Sequence, residues 1–258
     1  MNPEHDVFDV EPGLLRARPQ MVYVELSSRC NLRCVYCAVS QPDYHGEEML
    51  VDIDALGDLL VRLQPGEVQI SGHGETTMLR DWAQTARKLA ERGLALTITS
   101  NLAKSFDDGE IDVLSRMQAV KISIDSADEV SLARLRRGAK LHIIESNLQR
   151  IVQRCRDEFR ELPYLHLSCT VTDVNVSHLA DLVRWAHRQH AHAVGLLNLV
   201  RYPQVAGAIP TRHPVEVDAA AARRHVADAQ RAADELGIRF DMEPGFVESL
   251  REAGDPCR

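Results

Sequence analysis

Cys30, Cys34 and Cys37 fall within eight residues, directly after a short β-branched run at 22–26, so any fold of this chain must seat their loop at a strand end. Thiolates favour zinc and iron-sulfur centres, so three of them this close form a ligand set. A closed structural zinc site or a ferredoxin-type cluster takes four protein ligands. A triplet without a nearby fourth partner describes instead a metal centre with one position left for a substrate or cofactor. The competing reading is a zinc loop completed from a distance, with His45, His73 or Cys257 as fourth ligand.

Composition narrows the class. At 258 residues and 45% hydrophobic, the chain can bury one large catalytic core. The formal net charge of −8 argues against nucleic-acid binding, which needs clustered positive charge. The polar, acidic start lacks the pattern of a signal peptide, and no apolar run is long enough to span a bilayer. The expected location is cytoplasmic, where thiols stay reduced and bind metal rather than pair. Cys155 and Cys169 lie in a helical and a strand-like run, where a free cysteine behaves as a small apolar residue.

Short β-branched runs at 22–26, 68–71, 96–100, 120–124, 165–172 and 194–200 alternate with amphipathic segments at 53–63, 82–92, 111–117, 143–159 and 179–190. Such alternation implies parallel strands joined by right-handed crossovers. The expected fold is α/β, a partial (β/α)6 TIM-like barrel, followed by a C-terminal helix at 214–236 and a possible seventh strand at 238–242. The expected organisation is a lead-in at 1–20, a core at 21–205 and an extension at 206–258.

In such barrels chemistry collects on the loops after the strands. Here the first loop holds the cysteines, with Tyr36 just before the last. The second reads Ser71-Gly72-His73-Gly74-Glu75-Thr76, in which the glycines allow close backbone approach and the acid suits an ammonium donor. The third, fourth, fifth and sixth strands end in Thr99-Ser100-Asn101, Ser123-Ile124-Asp125, Val171 to Asn175, and Leu197 to Tyr202. Taken in order, these loops resemble those of the radical S-adenosylmethionine (SAM) superfamily.

That resemblance implies that Cys30, Cys34 and Cys37 hold a [4Fe-4S] cluster whose open iron chelates SAM. It implies SAM contacts from Tyr36, Gly72, Gly74, Glu75, Asn101, Ser123, Asp125 and Asn175, and from the backbone at Leu197. An arginine of Arg136-Arg137-Gly138 would pair with the SAM carboxylate, Arg137 as first choice and Arg136 as second. His73, Thr76 and Leu102 stand where relatives commonly carry glycine, proline and glycine. His73, Arg201 and Tyr202 would face the substrate. The C-terminal Asp255-Pro256-Cys257 resembles the entrance to a SPASM or twitch extension, of which the chain carries none of the further cysteines.

The implied activity is reductive cleavage of SAM to a 5'-deoxyadenosyl radical that takes hydrogen from a substrate carbon, with electrons from a donor such as flavodoxin or ferredoxin. The Arg-Gly element points to peptide maturation. A sugar or nucleoside substrate, or a glycyl-radical activase, is the alternative within the class. A zinc or iron-sulfur binding module without turnover is the alternative outside it.

Overall fold

The computed structural model describes residues 18–49, 51–200 and 211–252. The first half runs β1 (Met21–Val24), β2 (Arg33–Cys34), α1 (Ile53–Leu63), β3 (Glu67–Ile70), α2 (Trp82–Ala90), β4 (Leu96–Ser100), α3 (Asp108–Ser115) and β5 (Ala119–Ser123). The second half runs α4 (Glu129–Leu135), β6 (Arg136–Arg137), α5 (Leu141–Asp157), β7 (Tyr164–Thr170), α6 (Leu179–Arg188), β8 (Ala193–Leu197), α7 (Pro214–Leu236), β9 (Arg239–Met242) and α8 (Pro244–Glu252).

Seven strands form one sheet in the order β1-β3-β4-β5-β7-β8-β9. Every neighbouring pair is parallel. The sheet does not close, since β1 and β9 are its two edges. This is the open, partial barrel expected from the alternation, with β9 as the seventh strand. Because β9 pairs with β8, the segment read as an extension continues the main sheet.

Register divides the sheet into two unlike faces, as the two-residue period of a strand requires. Val24, Ile70, Ile98, Val120, Leu165 and Val194 lie on one face, all buried. The amphipathic helices supply its cover through residues such as Leu60, Leu89, Leu148 and Trp185, none more than 2% exposed. Each such aliphatic side chain contributes on the order of 2–3 kcal/mol of burial. The opposite face carries Tyr23, Gln69, Thr97, Lys121, His166, Ser168 and Asp241. There Gln69 donates to Ser71 and Thr99, and the Lys121 ammonium donates to Gln69.

Helix starts follow local chemistry. Asp52 accepts from the first-turn amides of α1, and Asp107 with Glu110 closes a reciprocal cap on α3. Two features escaped the periodicity. The stretch between β5 and β7 holds two helices, the short α4 as well as α5, and a two-residue ribbon pairs β2 with β6 antiparallel.

Leu102 takes φ 49°, the left-handed region that glycine fills at little cost, yet its side chain is fully buried. Asn147 donates to its carbonyl at 2.9 Å and holds the turn. Burial outweighs the backbone strain here. Leu102→Gly is expected to lower unfolding free energy by about 2–4 kcal/mol in a denaturant titration, although it relieves the φ strain.

Burial pushes the His166 imidazole below the usual histidine range; Lys121 and Arg239 add to the shift, and Asp241 opposes it. The unfolded imidazole titrates near about pH 6.5, so below that pH the unfolded chain takes up a proton that the folded chain resists. Stability from this group is present above that pH and lost as pH falls. His166→Gln should give a shallower decline of unfolding free energy between about pH 7 and 5, measured by denaturant titrations across that range.

Candidate active site

The three-cysteine loop leaves β1 and is held from three sides. Its own backbone curls through Cys37 N–H to the Cys34 carbonyl at 3.1 Å, and the Leu32 amide donates to Cys30 Sγ at 3.4 Å. The ribbon of β2 and β6 docks it on α4, where the Val35 amide donates to the Leu135 carbonyl at 2.9 Å. The glycine loop closes on it from β3, with the Glu75 amide donating to the Arg29 carbonyl at 2.7 Å. Gly74 permits that approach: a Cβ there would stand 2.4 Å from the Arg29 carbonyl oxygen.

Behind Cys34 lies a buried charge network. Asp125 at the β5 end accepts from the Tyr36 hydroxyl, from Arg136 Nη2 at 2.9 Å and from the Thr170 amide at 3.0 Å. Arg136 Nε also lies 2.9 Å from Oδ2, a charge contact whose N–H is not aligned on that oxygen. Arg136 Nη1 stands 3.9 Å from Cys34 Sγ. Burial above all pushes the Tyr36 hydroxyl pKa upward, which keeps it protonated as the donor to Asp125.

The two arginines weighed for the SAM carboxylate, Arg137 and Arg136, take opposite sides of the ribbon. Across β2 and β6, Cys34 faces Arg136 and Arg33 faces Arg137. Directly opposed residues share a side of the ribbon, and successive residues alternate. Arg136 is therefore buried on the Cys34 side, while Arg137, the first choice for the SAM carboxylate, is exposed with Arg33 on the other.

Glu75 likewise turns inward. Its carboxylate, 3% exposed, accepts from the Thr77 amide and hydroxyl, the Ser100 hydroxyl and the Asn101 amide. It joins the glycine loop to the end of β4. Asn101 reaches back to the cysteine loop through Asn31 Oδ1 at 2.9 Å. Asn175, fully buried, donates to the Asp125 and Thr170 carbonyls and accepts from the Thr172 amide, so it ties the ends of β5 and β7 together. Its side chain, an adenosine contact in the resemblance, is engaged on these backbone groups and on the Thr172 hydroxyl.

Other expected residues stay available to a ligand. Ser123 is half-buried with no side-chain hydrogen bond among the described residues, and Leu197 is 38% exposed at the end of β8. Gly72 and His73 line an open cavity of about 470 Å3 with Tyr23, Glu25 and Ser71. Glu25, absent from the motif reading, is the last polar-face residue leading out of β1, and its carboxylate accepts the His73 amide at 2.6 Å. An acid in an otherwise apolar strand run was the available signal. Arg201, Tyr202 and Cys257 lie outside the described residues.

The donor set fits an iron-sulfur cluster. Cys30, Cys34 and Cys37 are free thiols. Burial pushes the Cys34 thiol up to about 12, with Asp125 and the other two cysteines adding and Arg136 opposing. Burial also raises Cys30, and Glu75 adds to it. Thiols held in that state ionise when a metal supplies the positive charge. Among the described residues no group of three or more His, Cys, Asp or Glu side chains is gathered to hold a single metal ion. An iron-sulfur cluster instead takes one thiolate at each ligated iron.

No curated protein sequence matches the chain significantly. Among solved structures, Streptococcus suis SuiB bound to S-adenosylmethionine superposes with TM-score 0.68 at 15% identity, covering 87% of this chain and 50% of that one. SuiB bound to the precursor peptide SuiA gives TM-score 0.70 at 16% identity, with coverage of 91% and 51%. The anSMEcpe structure with bound AdoMet gives TM-score 0.60 at 15% identity, with coverage of 86% and 63%. The chain thus spans about half of SuiB and under two thirds of anSMEcpe. At such identities the likeness establishes the fold, while the sequence profile of the radical SAM superfamily matches residues 24–186. With that match lying over the cysteine loop and five of the strand ends, the chain belongs to the radical SAM superfamily.

Proposed function

We propose that this radical SAM enzyme modifies a peptide, with Cys30, Cys34 and Cys37 as its cluster ligands. When bound, the [4Fe-4S] cluster and SAM supply a 5'-deoxyadenosyl radical that takes hydrogen from an unreactive carbon. The observation that carries the site assignment is the convergence of the glycine loop, the Asn101 turn and the Asp125–Arg136 pair on the cysteine loop.

The chain's own groups divide the labour. The glycine loop presents backbone toward the ammonium of SAM, with Glu75 bracing it from behind. Ser123 is a hydroxyl at the β5 end without a side-chain hydrogen bond among the described residues, and the guanidinium on the cysteine side is that of Arg136. Arg136 also offsets charge on Cys34, because it lies against the sulfur in a buried setting where Coulomb terms are strong. Peptide over small molecule is favoured by β1, which has no partner strand on its outer side among the described residues. It is also favoured by the likeness to SuiB, solved with its precursor peptide, and to anSMEcpe, solved with a peptide. A one-electron donor such as flavodoxin or ferredoxin completes the reaction.

Anaerobic reconstitution should load about four irons per chain and yield 5'-deoxyadenosine from SAM under reductant. Cys34→Ala should abolish both, measured by iron analysis and chromatography. One zinc per chain with no SAM cleavage would favour the binding module instead.

The buried pair should behave as a unit. Asp125→Ala leaves the Arg136 charge without its partner and is expected to cost about 3–5 kcal/mol in a denaturant titration. In a double-mutant cycle, combining it with Arg136→Met should cost clearly less than the sum of the single changes.

A further inference from the structure

Between the β1 exit and the glycine loop lies the cavity lined by Tyr23, Glu25, Ser71, Gly72 and His73. Tyr23 and Glu25 stand two apart on β1 and its exit, so both point from the polar face. Tyr23 is 66% exposed, and the Glu25 side chain is 31% exposed. His73 Nδ1 lies 3.6 Å from Glu25 Oε1, the oxygen that also accepts the His73 amide. Among the described residues no lysine or arginine pairs with Glu25, and its Oε2 accepts no hydrogen bond.

The carboxylate is held in place. Gly72 lies directly beneath it, and a Cβ there would stand 2.2 Å from the Glu25 Cγ and 2.3 Å from its Oε1. Glycine at 72 is thus the space in which the acid rests. A half-desolvated carboxylate with one oxygen uncommitted, next to an exposed aromatic ring, matches a cation: the acid accepts charged N–H donors and the ring face attracts positive charge.

We infer that Tyr23, Glu25 and His73 form a subsite for a cationic group of the substrate, an amine or guanidinium, at the open β1 side of the barrel. This rests on the peptide reading and names the kind of residue such a peptide would present there, a lysine or arginine side chain. Glu25 makes the charge-assisted contact, Tyr23 covers the aliphatic stem, and the His73 amide and ring keep the carboxylate turned to the cavity.

The test uses cluster-loaded protein with SAM, titrated anaerobically by calorimetry. The probes are acetyl-Gly-Lys-Gly-amide, its arginine counterpart, and acetyl-Gly-norleucine-Gly-amide, which keeps the stem and drops the charge. Both basic probes should bind about three- to tenfold more tightly than the neutral one. Glu25→Gln keeps an oxygen for the His73 amide and removes the charge, and it should abolish that preference with an unchanged melting temperature. Gly72→Ala meets only a flexible side chain, so it should fold and also lose the preference by displacing the carboxylate. Asp58→Asn, on the exposed face of α1, should retain it. Equal binding of basic and neutral probes by the parent protein, or a preference that survives Glu25→Gln, overturns the subsite. Failure of the parent protein to release 5'-deoxyadenosine from SAM would overturn the enzymatic reading instead, so the two failures are separable.

Discussion

The buried contact between Asp125 and Arg136 is the constraint on which the site depends. The cysteine loop has almost no regular structure of its own, and a two-residue ribbon is too short to fix it. One carboxylate gathers a hydroxyl from the cysteine loop, a guanidinium from the α4 side and an amide from β7. Three segments distant in sequence thereby meet at one point. A buried ion pair is weak evidence for added stability, since desolvation offsets most of its attraction. Its value here is geometric: removing either partner strands a charge, so alternative seatings of the loop are disfavoured. Lysine would serve poorly, because its point charge cannot face a carboxylate and a sulfur with separate nitrogens of one plane.

The same economy appears at Glu75 and Asn175. Both sit in loops that the cofactor is expected to touch, and both spend their side chains inward on backbone and hydroxyl groups. A buried carboxylate receiving several donors is well satisfied and rigid. These two side chains brace the loops from within. Preorganisation of this kind places donors and acceptors before a ligand arrives and lowers the ordering cost of binding it.

The strand and helix pattern was legible because β-branched runs and amphipathic stretches each have a period, and the resulting parallel order leaves few topologies. The ribbon of β2 and β6 was not, because two residues carry no period. The sides taken by Arg136 and Arg137 were hidden for a related reason. Adjacent residues on a strand face opposite ways, so the answer depends on a register that only the partner strand supplies. Glu75 was found by its motif, yet its direction was set by the Ser100 hydroxyl and the Asn101 amide, which no local pattern links to it. Leu102 shows the converse, since a glycine-like backbone survives where the glycine does not because a fully buried side chain offsets the strain.

The glycine loop meets two neighbours, the cysteine loop through Glu75 and the β1 exit through His73. The glycine loop holds the cysteine loop by a backbone contact of 2.7 Å, and the Asp125 carboxylate holds it through Tyr36. Tyr23, Glu25 and His73 hang from that frame at an open edge, and Glu25 is tied to it by the His73 amide and the space above Gly72. Substitutions there alter charge and shape without crossing the buried network. Tyr23, Glu25 and His73 therefore stay exposed or half-buried at the rim, while the Asp125–Arg136 contact lies buried behind Cys34.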